Sequence, residues 1–400
     1  MRIIHTGDLH LGVSFKSVRG LNIPEYINKN IVENFRYACE YAVRNKADLF
    51  LIAGDIFNNI YSSIPYSPLL ARSMRILKDN NIPIVIIGGN HDIPKTRGYR
   101  IPLSIIHELG VSNVYYIDRY VNEPIYIRHE SNLIAVAPIP FMHYSIERNA
   151  VTEIKRYVDS LKFRIEKQSN VDYKILIAHQ DVEGAIYSER DMYARSYYDI
   201  YKIPPTILHP EFFNYIALGH IHLPQIIPGF NNMVYSGSLE RVSFGEWRDQ
   251  KSFVDVELNG SNIKIKRVNV NATKMIKLNV RVYSDPTNDI RSALSTIDVR
   301  KSLVRIILET EYSKWIELKS KLNKLDDIIL EELNALGYRI DPEIKIPEPR
   351  DFNILPSATE SDWLLKAINE YINNLRGVGE KDKEGMKKLL SKMFDEVGRL

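Results

Sequence analysis

A single cysteine in 400 residues, Cys39, leaves no partner for a disulfide, which points to a reducing, intracellular setting. Long apolar runs are also missing. No stretch approaches the ~18 consecutive apolar residues that a membrane span needs, so no membrane association is expected. The opening residues Met1-Arg2-Ile3-Ile4-His5-Thr6 run straight into an apolar strand, and no signal peptide is expected there. An excess of one charge sign is absent as well: 53 Lys and Arg against 50 Asp and Glu leave a net charge of +3. Any hold on nucleic acid must therefore come from local patches rather than a global field. Glutamine is scarce beside plentiful Ile, Tyr, Lys and Arg, a balance that hints at a hot-adapted source. No internal repeat or low-complexity tract stands out. What is present is 44% hydrophobic residues, enough for a sizeable core over a length that suits two or three units.

The first part alternates strand and helix. Strands are expected at Met1–Thr6, Asp48–Ala53 and Pro83–Ile87, with helices at about Pro24–Lys46, Pro68–Lys78 and Pro102–Leu109 between and after them. In the first helix Ile27, Ile31, Phe35, Ala38 and Ala42 share one stripe. This spacing predicts a buried, largely parallel sheet with helices on its faces. Further strands are expected at Leu133–Pro138, Lys174–Ala178, Tyr215–Leu218, Met233–Tyr235, Phe253–Leu258 and Ile263–Val268, with a helix near Ser145–Glu166. The later ones lie close together without helices between them, so a second, mostly antiparallel sheet is expected. From about Lys274 the pattern becomes that of a small α+β unit: strands at Lys277–Tyr283 and Leu303–Glu309, helices at Asn288–Ile297 and about Ser313–Leu336, and a Pro-bounded segment Ile340–Pro349.

Four strand ends share one design, an apolar run that stops in glycine plus metal-ligating side chains. They are Gly7-Asp8-Leu9-His10, Gly54-Asp55, Gly89-Asn90-His91-Asp92 and Gly219-His220-Ile221-His222, and His179 ends a further strand in the same way. In a mostly parallel sheet the carboxyl ends of the strands share one edge, where ligand sites form. Glycines there allow sharp turns that bring the next side chain into a crevice. Each piece alone is an ordinary turn or a solvated histidine. Together they place five of the ten histidines at strand ends beside Gly, Asp or Asn, the donor set of a dinuclear site. Asp, Asn and His together suit Mn²⁺, Fe or Zn better than Mg²⁺, which prefers oxygen ligands. Two such cations clamp the attacking and leaving oxygens of a phosphoester.

These motifs resemble the calcineurin-like metallophosphoesterase signature. Tyr235-Ser236-Gly237-Ser238-Leu239-Glu240-Arg241, followed by Phe244-Gly245-Glu246, is similar to the segment after the last metal motif in SbcD-type DNA double-strand-break repair nucleases of the meiotic recombination 11 family. His179-Gln180 fits the same family. The resemblance implies an α/β fold, a two-sheet metallophosphoesterase sandwich with a small α+β capping domain and a C-terminal helical tail. It implies a Mn²⁺-dependent exonuclease and single-strand endonuclease, with two Mn²⁺ preferred over Mg²⁺ or Fe²⁺. One ion would take Asp8, His10, Asp55 and His222, and the other Asp55, Asn90, His179 and His220. His91 would protonate or stabilise the leaving oxygen, held in orientation by Asp92. One departure stands out: the family commonly has histidine three residues after the bridging aspartate, and here that position is Asn58, which cannot carry a proton.

Lys16, Arg19, Lys95, Arg97 and Arg100 follow the first and third motifs, where phosphates of DNA need neutralising. The organisation expected is residues 1–272 as the nuclease domain, 273–346 as a DNA-binding cap, 347–360 as a linker and 361–400 as a helical segment. In that tail Leu364, Ile368, Tyr371 and Ile372, then Leu389, Leu390, Met393 and Phe394, form two short amphipathic faces that cannot build a core alone. They are expected to bind a partner, which the resemblance makes an SMC-like ABC-type coiled-coil ATPase. It also implies a homodimer, with Leu69, Leu70, Met74, Leu77, Ile105, Ile106 and Leu109 offering apolar stripes. Two other readings compete: a DNA-end tethering scaffold with weak nuclease activity, and a small-molecule phosphodiesterase.

Overall fold

The computed structural model describes residues 1–15, 17–61, 63–93, 103–141, 149–189, 201–260, 262–344, 369, 371–373 and 379–397. The chain divides into two units, Met1–Lys345 and Ile346–Leu400. In the first unit β1 (Arg2–Thr6), β2 (Leu49–Ile52), β3 (Ile84–Ile87) and β4 (Val114–Ile117) run parallel. The antiparallel pair β11 (Ser252–Asn259) and β12 (Asn262–Asn269) joins the free edge of β1, giving the order β12-β11-β1-β2-β3-β4.

A second sheet holds β5 (Ile125–His129), β6 (Asn132–Ile139), β7 (Tyr173–His179), β8 (Tyr215–Gly219), β9 (Gln225–Ile226) and β10 (Met233–Tyr235), in the order β5-β6-β7-β8-β10-β9. It is not the mostly antiparallel sheet expected. Strands β6, β7, β8 and β10 are parallel, and only the outer pairs β5/β6 and β9/β10 are antiparallel. The short spacing between later strands suggested hairpins. In fact β9 is a two-residue edge strand that lets the chain step from β8 to a parallel β10, and the true hairpin β11/β12 completes the first sheet.

Both faces of the central strands are buried, so their sequences read as unbroken apolar runs. Leu49 and Leu51 of β2 face the second sheet, meeting Val136, Ile175, Ile177 and Ala217. Phe50 and Ile52 face α1 (Ile23–Arg44) and α2 (Ser63–Asp79), whose Ile27, Ile31, Phe35, Leu70 and Leu77 pack against them. Phe35 and Phe50 meet edge to face, 6.0 Å between centroids. Short α3 (Ser104–Glu108) precedes β4, and α4 (Ala150–Lys167) covers the outer face of the second sheet through Ile154, Val158, Leu161 and Ile165. Helix α2 starts five residues before the Pro68 expected to open it, and carries that proline inside. The proline forgoes one bond to the carbonyl four residues back, a loss an early position in the helix tolerates best.

The three-stranded parallel sheet of β13 (Met275–Arg281), β14 (Leu303–Thr310) and β15 (Gly337–Ile344) forms its own core with α5 (Pro286–Ser295), α6 (Tyr312–Ser320) and α7 (Leu322–Asp326). The single helix expected over Ser313–Leu336 is broken after α6 and ends in a π-helical turn, Asp327–Glu332. Glu240 ties this sheet to the sandwich. Its buried carboxylate accepts from the Thr273 and Arg241 N–H groups, at 2.8 and 2.7 Å, and from Asn30.

Arg19, expected to contact DNA, is paired within the chain. Its N–H and carbonyl pair with Tyr338 of β15 at 2.7 and 2.8 Å, and its Nε lies 2.9 Å from Asp326 Oδ1, which also accepts from the Tyr338 hydroxyl. The guanidinium thus latches the loop after β1 to the three-stranded sheet, the one expected to form the cap. The tail is less fully described. Residues 371–373 and α8 (Glu380–Val397) are helical, and Lys383 Nζ donates to the Asn373 carbonyl at 2.9 Å. Lys16, Lys95, Arg97, Arg100, Leu364, Ile368 and the 347–360 linker lie outside the described residues, as do the side chains of Met393 and Phe394.

Because Arg19 and Asp326 are 40% and 27% exposed, water screens their pairing. Arg19→Ala should lower stability by about 1 kcal/mol or less in denaturant unfolding. Amide exchange at Arg19 and Tyr338 should quicken while that of β2 holds. Unchanged exchange at both would show that the backbone pairing alone holds the cap.

Candidate metal centre

The carboxyl ends of β1, β2 and β3 in one sheet meet those of β7 and β8 in the other, and each delivers polar side chains to the same point. Asp8 and His10 follow β1, Asp55 follows β2, and Asn90 and His91 follow β3. His179 ends β7, while His220 and His222 follow β8. The sharp turns are made by these residues themselves: Asp8, His10, Asp55 and His220 all have positive φ, at 52°, 49°, 49° and 97°. Non-glycine residues in this region cost about 1–3 kcal/mol each, and such strain gathers at functional sites. The loops are laced together by Asp8 N–H to the Gly54 carbonyl, His10 N–H to Asp55, and Leu11 N–H to Ile56, all at 2.9 Å. Two motif glycines serve close approach rather than turning. A Cβ on Gly89 would overlap the Asp55 carboxylate, and one on Gly219 would overlap the Ala53 carbonyl.

Ligand-type atoms of Asp8, His10 and His222 lie within 4.8 Å of one another, as do those of Asp8, Asp55 and His179, and of His10, Asp55 and His91. Asp55 Oδ2 is 3.5 Å from Nε2 of both His10 and His179. The Asn90 amide oxygen is 3.0 Å from His179 Nε2 and 3.1 Å from His220 Nδ1. His10 and His222 oppose their Nε2 atoms at 2.9 Å. Asp8 accepts the His220 N–H at 2.9 and 3.1 Å. Thus all seven candidate ligands, Asp8, His10, Asp55, Asn90, His179, His220 and His222, share one cluster.

Electrostatics fit a cationic occupant. Both aspartates are buried, where an unpaired carboxylate is costly. Burial raises the Asp8 carboxyl, against the pull of His179 and His222. At Asp55 burial acts the same way, but His179, His91 and His10 together hold it well below the usual carboxylate range. His179 is lowered by burial and lifted by Asp55 and Asp8, reaching about 9. Its Nδ1 donates to the Ala53 carbonyl at 2.7 Å, so that in the neutral ring, the form a metal would bind, the lone pair is on the inward Nε2. Buried oxygens and imidazole nitrogens converging on one point are the donor set of a divalent transition metal.

The expected pairing of Asp92 with His91 is not observed. Asp92 accepts three backbone N–H groups, those of Ile56, Phe57 and Gly89, at 3.1, 2.9 and 3.0 Å. Burial and then Asp55 push its carboxyl up to about 7, against those three bonds. It braces the β2 and β3 loops. His91 is oriented instead by the Asn58 carbonyl, 2.8 Å from its Nδ1. A carbonyl only accepts, so Nδ1 carries the proton. The backbone of residue 58 does this whatever its side chain, which bears on the departure at Asn58. His91 sits edge to face with His10, and its N–H donates to Asp55 at 2.8 Å.

His91 and Asn58 open onto a cleft of about 710 Å³ that is also lined by Val13, Phe15 and Val18, by Val242–Gly245, and by Arg305 and Arg339 of the three-stranded sheet. Those two arginines share Asp341, each at 2.6 Å. Other cap cations are similarly engaged: Lys277 with Glu189, Arg281 with Glu309, Arg291 with Glu332 and Arg300 with Asp298. Sequence reasoning assigned no role to Glu246, whose carboxylate meets His222. The Phe244-Gly245-Glu246 segment was noted for its resemblance, but nothing local marks a histidine as its partner.

The family model of calcineurin-like phosphoesterases matches residues 1–224, more than half the chain. The chain belongs to this family. This phosphoesterase is also similar to the DNA double-strand break repair protein Mre11 of Methanocaldococcus jannaschii, at 25% identity over 85% of this chain and 89% of that protein. The SbcD component of the SbcCD nuclease of Staphylococcus epidermidis is 29% identical over 65% of this chain and 67% of that one.

If Asp92 braces the loops, Asp92→Ala leaves three buried N–H groups without an acceptor. Each such loss costs about 1–3 kcal/mol, so chemical denaturation should show a destabilisation of about 3 kcal/mol or more. A change under about 0.5 kcal/mol would return Asp92 to the role of orienting His91.

Proposed function

We propose that this phosphoesterase is a metal-dependent DNA nuclease of double-strand-break repair. The observation that carries the reading is the clustering of seven candidate ligands beside His91, at the mouth of a cleft whose far wall is the cap sheet. The relatives named for break repair and for SbcCD nuclease support DNA as the substrate, and the first of them aligns over 85% of this chain. Exonuclease and single-strand endonuclease activities, and Mn²⁺ as the metal, are part of this proposal. So is the domain plan of nuclease domain 1–272, cap 273–346, linker 347–360 and tail 361–400.

Asp8, His10, Asp55 and His222 would hold one ion, and Asp55, Asn90, His179 and His220 the other. Bound together, two such cations supply Lewis acidity and screen the phosphodiester's charge. The chain's own residues do the rest. Asn58 keeps the proton on His91 Nδ1, so that Nε2 can hand a second proton to the leaving oxygen when the ring is charged. The apolar flanks of the cleft, Val13, Phe15, Val242 and Phe244, exclude water around the strand.

A partner ATPase and a homodimer belong to the same reading. Within the second unit Tyr371, Met386 and Leu389 are exposed, while Ile372 is buried and Leu390 half-buried. Apolar side chains left in solvent on short helices suit helix-in-groove binding, here to an SMC-like ABC-type coiled-coil ATPase. For the dimer, Leu70, Met74 and Leu77 are consumed by the core, leaving Ile64 on α2, Ile105 on α3 and Leu109 just past its end exposed. A light-scattering mass of two chains is its test.

Loss of nucleotides from duplex DNA ends with Mn²⁺ tests the main reading. Asp55→Asn should lose most activity and most bound metal, since neutral Asn bridges two cations poorly. His91→Ala should keep both metals by elemental analysis while cleavage falls about 10²-fold or more. Metal loss in step with activity in His91→Ala would make that residue a ligand. In the tail, Leu389→Asp should leave the melting temperature unchanged, because that side chain is 63% exposed, and should abolish co-purification with the ATPase. Retained binding would move the partner site elsewhere.

A further inference from the structure

His222 differs from His179 in what lies behind the ring. His179 donates its Nδ1–H to a neutral backbone carbonyl, that of Ala53. His222 Nδ1 lies 3.0 Å from Oε1 of Glu246, a carboxylate with no solvent exposure. The other oxygen of Glu246 meets Lys251 Nζ at 2.7 Å and accepts the Val242 N–H at 3.2 Å. Lys251 is itself 1% exposed, and its ammonium also donates to the His222 carbonyl at 3.2 Å and lies 3.4 Å from Asp249. One buried ion pair thus grips both the ring and the backbone of a single candidate ligand. A buried pair of this kind is weak evidence of stability, since apolar residues of similar volume often do as well. Its geometry has a clearer use at a metal site. A carboxylate behind an imidazole fixes the tautomer and makes the inward nitrogen a stronger donor.

We propose that Glu246, anchored by Lys251, is a positioning residue for His222, and that it makes the ion at Asp8, His10 and His222 the more tightly held of the two. This rests on the two-ion reading above. Glu246 keeps His222 Nδ1 protonated and Nε2 aimed at His10 and the carboxylates. Lys251 Nζ, 2.7 Å from the other Glu246 oxygen, fixes that carboxylate in place behind the ring.

Calorimetric titration of the full chain with Mn²⁺ alone tests this. The wild type should take up two ions in two steps of different affinity. Glu246→Gln keeps an acceptor of similar size but removes the charge, and the tighter step should weaken about 10- to 100-fold while the weaker one holds. Glu246→Gln also strands Lys251, so the double variant Glu246→Gln with Lys251→Met is measured beside it. Positioning predicts that the double variant binds as weakly as the single one. A purely structural role predicts that removing the stranded charge restores wild-type affinity, which would overturn the proposal. Equal weakening of both steps, or unchanged affinity in both variants, would overturn it too. Failure of the wild type to take up two ions would instead sink the two-ion reading itself.

Discussion

Asp8 and Asp55 lie fully buried where the carboxyl ends of two sheets converge, and the cost of keeping their charge there governs the surrounding structure. A carboxylate taken out of water must find hydrogen bonds and positive charge or give up its ionisation. Here Asp8 takes the His220 N–H and Asp55 the His91 N–H, each from a different loop. Those loops must therefore come closer than ordinary strand connections allow. The left-handed backbone at Asp8, His10 and Asp55, the missing Cβ atoms at Gly89 and Gly219, and the Asp92 brace all serve that approach. The apolar sandwich beneath supplies the rigidity that holds such strained turns in place.

How legible this was depends on whether a residue acts through its own strand or through a distant partner. The strand ends could be read because a parallel strand's apolar run stops where the site begins, and Gly-Asp or Gly-Asn-His then marks the turn. The stripe Ile27, Ile31, Phe35, Ala38 and Ala42 could be read because helix periodicity is local. Arg19 could not: the signal for a phosphate contact and for a latch is the same basic residue in a loop, and Asp326 is 307 positions away. Asp92 beside His91 suggested a carboxylate–histidine pair, yet neighbours in sequence on a turn point apart, and two of the N–H groups it accepts come from the loop after β2. The parallel second sheet was hidden by a two-residue edge strand too short to leave a pattern.

The charge pattern limits how DNA can be held. Among the described residues, Lys277, Arg281, Arg291, Arg300, Arg305 and Arg339 are paired with carboxylates, and Arg19 with Asp326. Exposed pairs of this kind are worth little to stability, so phosphates could compete for those guanidinium groups at small cost. Affinity built this way would be modest and salt-sensitive, consistent with a net charge of only +3. The strongest attraction for a phosphodiester would then come from the centre itself, which favours contact at the scissile position over contact along the duplex.

The cleft is walled by the same segments that position the candidate ligands. Val13, Ser14, Phe15 and Val18 on one wall belong to the loop that starts at Asp8 and His10 and reaches the Arg19 latch on β15. The facing wall, Val242–Gly245, runs directly into Glu246, which grips His222. Arg305 and Arg339 on the far side sit on strands whose core partner, Tyr338, is the latch residue. Whatever occupies the cleft therefore lies against the two segments that position candidate ligands and against the sheet that is latched to one of them.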